Sequence, residues 1–307
     1  MTPQNARAHE PQTVSILGLG AMGTALAAAL LDRGHAVTAW NRSPGRGEGL
    51  VERGAHRAGT VAEALDRSEV IVTCLLRYAS VRETLDPAAE QLRGRTVIDL
   101  TTTTPDEARE LGAWAAEHGI DYLNGAILAT PPMIGGPGAQ LFVSGASEVH
   151  ERTRPVLEAW AEIVYDGADP GAASLVDLAM LAAMYQMFAG LFHGAAMAAS
   201  AGMPAADFAA RAVPFVAAMV PAFARDAEIV DGGDYTVPGQ QSLHFSDLSD
   251  IIRASDEAGA NSSTIRAVQA LIAEQVDLGF GDEGTARIFE SLRRPEPVRD
   301  EAAEAVA

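Results

Sequence analysis

Lysine is absent from this 307-residue sequence, and all 22 of its basic residues are arginine. No mechanism that needs a lysine acid, base or Schiff base is open to the chain. Cysteine is nearly as scarce. The single Cys74 cannot form an internal disulfide, which fits a reducing, cytoplasmic setting. Positive charge is also short: 41 acidic residues give a net charge of −19, leaving few of the clustered cations that a nucleic acid requires. No histidine or acid pair has metal-ligand spacing such as HExxH, so no metal is expected. The opening MTPQNARAHEPQ lacks an apolar signal core, and residues 1–11 read as a disordered leader.

Hydrophobicity is not lacking. Apolar residues make up 48% of the chain and charged ones 21%, a soluble enzyme's composition, with length enough for two domains. Residues 171–200 form one apolar run long enough to span a bilayer. Asp177, Tyr185, Gln186 and His193 interrupt it and no basic cluster flanks it. A helix buried in a soluble protein is therefore expected, with no membrane partner.

The first half alternates strand and helix signals, which predicts an α/β domain with a doubly wound parallel sheet. TVSILGLG, HAVTAWNR, EVIVTCLL, RTVIDLTT, IDYLNGAIL and AQLFVSG read as strands, followed by a further return through VLEAWAEIVYDG. Past residue 170 the strand signals stop. Helical patterns follow near 204–225, 240–259, 263–278 and 283–292, and the charged, proline-broken end reads as a flexible tail over 294–307. The expected domains are a Rossmann domain over 12–168, an interdomain helix over 169–201, and an all-helical domain over 202–293, whose dimerisation and substrate roles follow from the resemblance given below.

GLGAMG sits between a strand and a helix and places Gly18, Gly20 and Gly23 in the GxGxxG spacing, with Leu19, Ala21 and Met22 between them. Gly18 permits the tight turn, Gly20 lets a pyrophosphate approach the backbone, and Gly23 lets the helix pack on the strand. An NAD site carries an acid at the end of the next strand to hold the ribose hydroxyls. Here that strand ends in Asn41, Arg42 and Ser43, with Arg46 just beyond. Two guanidinium groups and a hydroxyl suit a 2′-phosphate, and NADPH is the expected cofactor. Two solvated loop arginines are the plain alternative. The loops after the fourth and fifth strands, Cys74–Leu75–Leu76 and Thr101–Thr102, should line the nicotinamide. Cys74, with no basic neighbour before it, reads as a packing residue rather than a reactive thiol.

ILGLGAMG, WNRS, LTTTTPDEAR and SLVDLAMLAAMY together resemble the NADPH-dependent imine reductases and reductive aminases over roughly residues 12–292. Their wider relatives are the β-hydroxyacid dehydrogenases, such as 3-hydroxyisobutyrate dehydrogenase. The resemblance implies a Rossmann domain, an interdomain helix and a helical C-terminal domain. It also implies a homodimer with the active site in the inter-subunit cleft, acting on an imine or on a ketone plus an amine. The hydroxyacid enzymes carry GxGxxxK at the start of the long helix. This chain reads GAASLVD, with Asp177 where that lysine belongs. Tyr185 matches a second active-site residue of the aminase-like members; Met184 and Phe188 lie within about 20° of the Asp177 direction on the helix as an apolar wall, and with Thr102 and Met133 they are the expected substrate contacts. Several reductive aminases carry asparagine where this chain has Thr102, a departure that bears on amine capture.

The chemistry is consistent with that swap. Reduction of C=N gives the nitrogen a proton, and a carboxyl group can deliver it or stabilise an iminium already formed. An ammonium would repel the cation. Asp177 and Tyr185 differ by about 80° around the helix and about 12 Å along it, so one side can present both. A helix-end acid favoured by the dipole is the competing reading of Asp177. His193, about 160° from Asp177, reads as a packed histidine, and His244 as structural. Two alternatives remain: a β-hydroxyacid dehydrogenase, disfavoured by the missing lysine and the apolar wall and needing a basic group such as Arg77 for a substrate carboxylate, and a non-catalytic NADPH-binding protein.

Overall fold

A computed structural model describes residues 11–293; the expected tail, and the leader apart from Pro11, lie outside the described residues. The chain divides into two units, the first ending at Ala182 and the second beginning at Ala183.

The first unit is built on eight strands: β1 (Thr13–Leu17), β2 (Ala36–Trp40), β3 (His56–Arg57), β4 (Val70–Thr73), β5 (Thr96–Asp99), β6 (Asp121–Leu128), β7 (Gln140–Gly145) and β8 (Glu162–Tyr165). They lie in the order β3-β2-β1-β4-β5-β6-β7-β8. VIVT of β4 and TVID of β5 are buried throughout, as central strands covered on both faces must be. The helices between them are α1 (Ala21–Asp32), α2 (Glu48–Glu52), α3 (Val61–Asp66), α4 (Tyr78–Leu85), α5 (Ala89–Leu92), α6 (Pro105–Glu117) and α7 (Ser147–Leu157). One apolar core joins Leu26 and Leu30 of α1 to Val149 and Val156 of α7, with Trp160 beside them. A second joins Leu65, Val81, Leu85, Leu111 and Trp114 of α3, α4 and α6. The doubly wound arrangement expected from the sequence is present.

One strand breaks the parallel rule. β7 runs antiparallel to β6, pairing Leu123 with Gly145 and Leu128 with Gln140. The reason lies in residues 129–139, ATPPMIGGPGA, whose prolines and glycines cannot form a crossover helix. The chain turns back instead, and β8 then returns parallel to β7 through α7. The two-residue β3 at the sheet edge had no readable signal.

α8 (Ala172–Ser200) is a single 29-residue helix, about 44 Å long. Burial of the whole run is the expectation the structure corrects. Only Ala173, Ser174 and Asp177 are buried, while Tyr185, Met187, Phe188 and Phe192 are exposed. By length and composition the helix could cross a bilayer. The start of α8 is instead tied by polar groups to the sheet unit, and its far part lies in the second unit, where a single chain supplies too little to cover it.

The second unit adds α9 (Ala205–Met219), α10 (Ala222–Gly232), α11 (Ser249–Glu257), α12 (Ser263–Gln275) and α13 (Ile288–Arg293). The helix expected over 204–225 is two, because Pro221 interrupts it. The helix expected over 240–259 begins only at Ser249, after Asp247 accepts that residue's N–H. The unit is held around Arg287, which lies over the rings of Phe280 and Tyr235 and bonds Gln275 and Glu283. His193 bonds Ser255 at 2.9 Å, as a satisfied histidine should. His244 is exposed, 4.0 Å from Asp282.

Trp160 tests the first core. It is 1% exposed, and its indole N–H donates to the Leu26 carbonyl at 3.1 Å. Trp160→Ala should cost about 3–5 kcal/mol in urea unfolding. A cost below about 1 kcal/mol would show that α1 and α7 do not share a core around this ring.

Candidate active site

β1 is flanked by β2 and β4, so the strand order reverses there and leaves a crevice at the carboxyl ends of the strands. The glycine loop occupies that crevice. Gly18 has φ +109°, and a Cβ on it would stand 2.3 Å from the Cys74 carbonyl oxygen. A Cβ on Gly23 would stand 1.9 Å from the Gly18 carbonyl oxygen, so α1 can start here only with glycine. Gly20 differs, for a Cβ there would meet nothing within 4 Å. Its open side is space that the fold leaves beside the first turn of α1. That turn carries no acid, so no side-chain charge there would oppose a negative ligand.

A cavity of about 470 Å³ opens at this point. Gly18, Gly20, Ala21, Met22, Gly23, Asn41, Arg42, Ser43, Arg46, Cys74, Leu75 and Leu76 all line it. Leu19 does not: its side chain is 3% exposed, and its N–H donates to Asn41 Oδ1 at 2.9 Å. Asn41 also donates to the Ser43 carbonyl, so its amide braces the glycine loop against the end of β2. Arg42 and Arg46 stand at the same end, with Arg42 3.9 Å from Glu83. Trp40, Ser80 and Thr84 also line the cavity, and the sequence reading missed them. Ser80 and Thr84 are four apart on α4, a small polar pair on one helix face that could have been noticed.

The loops after β4 and β5 are joined from beneath. Asp99, fully buried, accepts from Thr73 Oγ1 at 2.7 Å and from the Thr101 N–H at 3.0 Å, while its Oδ2 has no protein partner. Burial pushes its carboxyl up to about 6, against the pull of those bonds. Thr101, 2% exposed, accepts the Leu75 N–H on its hydroxyl at 3.0 Å and does not line the cavity. Thr102 is exposed. Burial, with the Asp99 charge added, pushes the Cys74 thiol up to about 11, so it stays protonated and unreactive.

Asp177 lies near the start of α8, 5% exposed, on the face that also buries Ala173 and Ser174. Burial alone raises its pKa, and no described residue provides it with a hydrogen bond or counter-ion. Met184 is partly exposed, and Phe188 stacks on Phe192 at 6.3 Å rather than being buried. Tyr185 is 66% exposed. Met133 lies on a tight turn (Pro131–Met133) packed against α1, partly buried. No cluster of three or more metal-ligating side chains occurs among the described residues.

Comparison with known proteins places both halves. Residues 13–167 match the family described as the NAD binding domain of 6-phosphogluconate dehydrogenase. Residues 169–294 match the NADPH-dependent reductive aminase-like C-terminal domain. The chain is 36% identical to the NADPH-dependent reductive aminase of Aspergillus oryzae, over 91% of this chain and 97% of that one. It is similar to the reductive aminase from Aspergillus terreus solved with NADPH and ethyl-5-oxohexanoate, with TM-score 0.88, 36% identity, and 92% and 100% of the two chains covered. The imine reductase from Myxococcus stipitatus solved with NADP+ gives TM-score 0.87 and 32% identity, covering 91% and 99%.

The two glycines separate fold from ligand. Gly20→Ala should leave the melting temperature near wild type, because nothing in the chain occupies the added methyl's place, yet weaken dinucleotide binding at least about tenfold through contact with the pyrophosphate. Gly23→Ala should lower both, because its methyl meets the Gly18 carbonyl. Calorimetric titration and thermal melts check the pair; full binding by Gly20→Ala would remove the pyrophosphate from this loop.

Proposed function

The chain belongs to the NADPH-dependent imine reductase and reductive aminase family, and from that premise we propose that Asp177 is the group that serves the substrate nitrogen. The protein is an NADPH-dependent oxidoreductase acting on C=N. The residues of the cavity suit that cofactor: glycine backbone and the α1 N-terminus for the pyrophosphate, and Arg42, Ser43 and Arg46 for the 2′-phosphate. Bound there, NADPH supplies the hydride.

The observation that carries the assignment is a carboxyl group buried without a partner. A purely structural acid at a helix start finds a backbone N–H or a cation. Asp177 has neither, and its raised pKa keeps a larger protonated fraction near neutrality. In that form it donates a proton to an imine nitrogen; ionised, it is the counter-ion of an iminium. The same carboxylate would oppose a developing alkoxide, so a hydroxyacid substrate is disfavoured. We assign Tyr185 to orienting the substrate, with Thr102, Met133, Met184 and Phe188 as further contacts. The substrate class is an imine, cyclic or formed from a ketone and an amine.

The exposed apolar residues of α8, α9 and α10, among them Phe192, Phe215 and Phe223, support a homodimer in which a second copy covers them and the active site lies in the inter-subunit cleft. Light scattering at micromolar concentration should give twice the 32.1 kDa of one chain; a monomer would contradict the arrangement.

Asp177→Ala should reduce kcat/KM for a five- or six-membered cyclic imine by about 10²–10⁴-fold. Tyr185→Phe should cost less. NADPH affinity should change in neither. A folded Asp177→Ala enzyme with wild-type kcat/KM would return Asp177 to a helix-end role.

A further inference from the structure

The four consecutive threonines after β5 face alternately inward and outward. Thr102 is exposed, and Thr104 caps α6 in a reciprocal pair with Glu107. Thr101 and Thr103 are buried, 2% and 3% exposed, and each reaches a different element. Thr101 takes the N–H of Leu75, which lines the cofactor cavity. Thr103 meets the hydroxyl of Ser174 at 3.2 Å, and either hydroxyl can donate. Ser174 also accepts from Asn124 Nδ2 at 2.7 Å. Asn124 and Asp99 are register partners on β6 and β5, and Asp99 and Thr73 are partners on β5 and β4.

Ser174 stands one turn before Asp177 on the buried face of α8, so whatever holds Ser174 fixes the carboxyl group. Three other contacts hold this turn against α6 and the sheet. Gly171 leaves no room for a Cβ, which would stand 2.7 Å from the Pro105 carbonyl oxygen. Ser144 accepts the Ala173 N–H and donates to the Pro170 carbonyl. Asp169 pairs with Arg109 at 2.8 Å and accepts the Gly171 N–H.

We propose that the loop Thr101–Thr103 is a yoke that sets Asp177 against the cofactor: Thr101 positions the cavity wall at Leu75, and Thr103, through Ser174, positions the helix turn that carries the carboxyl. Neither threonine touches the reacting atoms. Both are positioning residues, and the second rests on the assignment of Asp177 to the substrate nitrogen. Hydride transfer tolerates little displacement, since an error of about 1 Å can cost about 10²-fold in rate. Two buried hydroxyls two residues apart on one loop fix both sides of that distance to one strand end. The charged and titratable groups around the loop are Asp99 beneath it, Cys74 just past β4, Tyr122 on β6 and Glu107 on α6, with Asp177 on α8.

The two threonines should separate in kinetics. Thr101→Val removes the acceptor for the Leu75 N–H and should raise the NADPH Kd about tenfold or more, read by fluorescence titration. Thr103→Val and Ser174→Ala should leave that Kd within about twofold and lower kcat on a cyclic imine about tenfold. Thr103→Ser keeps the hydroxyl and should restore kcat. Each variant is compared at a temperature where circular dichroism shows it folded, and the two Ser174–Thr103 variants report independently. Wild-type kcat in Thr103→Val and Ser174→Ala, with Asp177→Ala still slow, would overturn the positioning and leave the Asp177 assignment standing. A fully active Asp177→Ala would overturn both. An unchanged NADPH Kd in Thr101→Val would overturn the other arm.

Discussion

A carboxyl group largely buried, with no hydrogen-bond partner or counter-ion among the described residues, is the constraint on which the proposed chemistry depends. Burial disfavours its ionised form, so its proton affinity rises and the protein must hold it there by other means. Those means are concentrated in the eight residues before it. Asp169 binds Arg109, Gly171 permits contact with the start of α6, Ser144 takes the Ala173 N–H, and Ser174 bonds Asn124. None of these groups neutralises Asp177. They fix a helix turn, and the turn presents an acid whose charge, on the proposed assignment, the substrate answers.

The cofactor side obeys a complementary rule. Glycines 18 and 23 are required by contacts inside the chain, whereas Gly20 faces open space. Two are needed by the fold; the fold gives no reason for the third, and the proposed pyrophosphate contact does. The positive charge at the end of β2 comes from two arginines in a chain of net charge −19, so the proposed pull on a 2′-phosphate is local rather than a property of the whole surface. The substrate side carries no ammonium at all, which suits a reaction through a cation.

Much of this was readable from residue order, because a strand, a glycine loop and a helix in succession leave few alternatives. Asp177 was conspicuous as one acid in an apolar run. The antiparallel β7 was not anticipated, although residues 129–139 contain the prolines and glycines that explain it. Leu19 and Thr101 fall in the right loops, but their side chains turn inward, and a one-residue alternation in a loop has no periodic signal. Trp40, Ser80 and Thr84 were missed because cavity walls are assembled from separate strands and helices. The exposure of α8 beyond its first turns could not be read either, since hydrophobicity alone does not say whether the covering surface belongs to the same chain.

The most direct test of Asp177 as the acid at the substrate nitrogen is the pH dependence of kcat/KM for a cyclic imine in wild type and Asp177→Asn. Burial raises the carboxyl's pKa, so a proton donor is lost as pH rises through that raised value. The wild type should show this falling limb, and Asp177→Asn, slower throughout, should lack it and retain only the limb belonging to the imine itself. Superimposable profiles in the two enzymes would contradict proton delivery from Asp177.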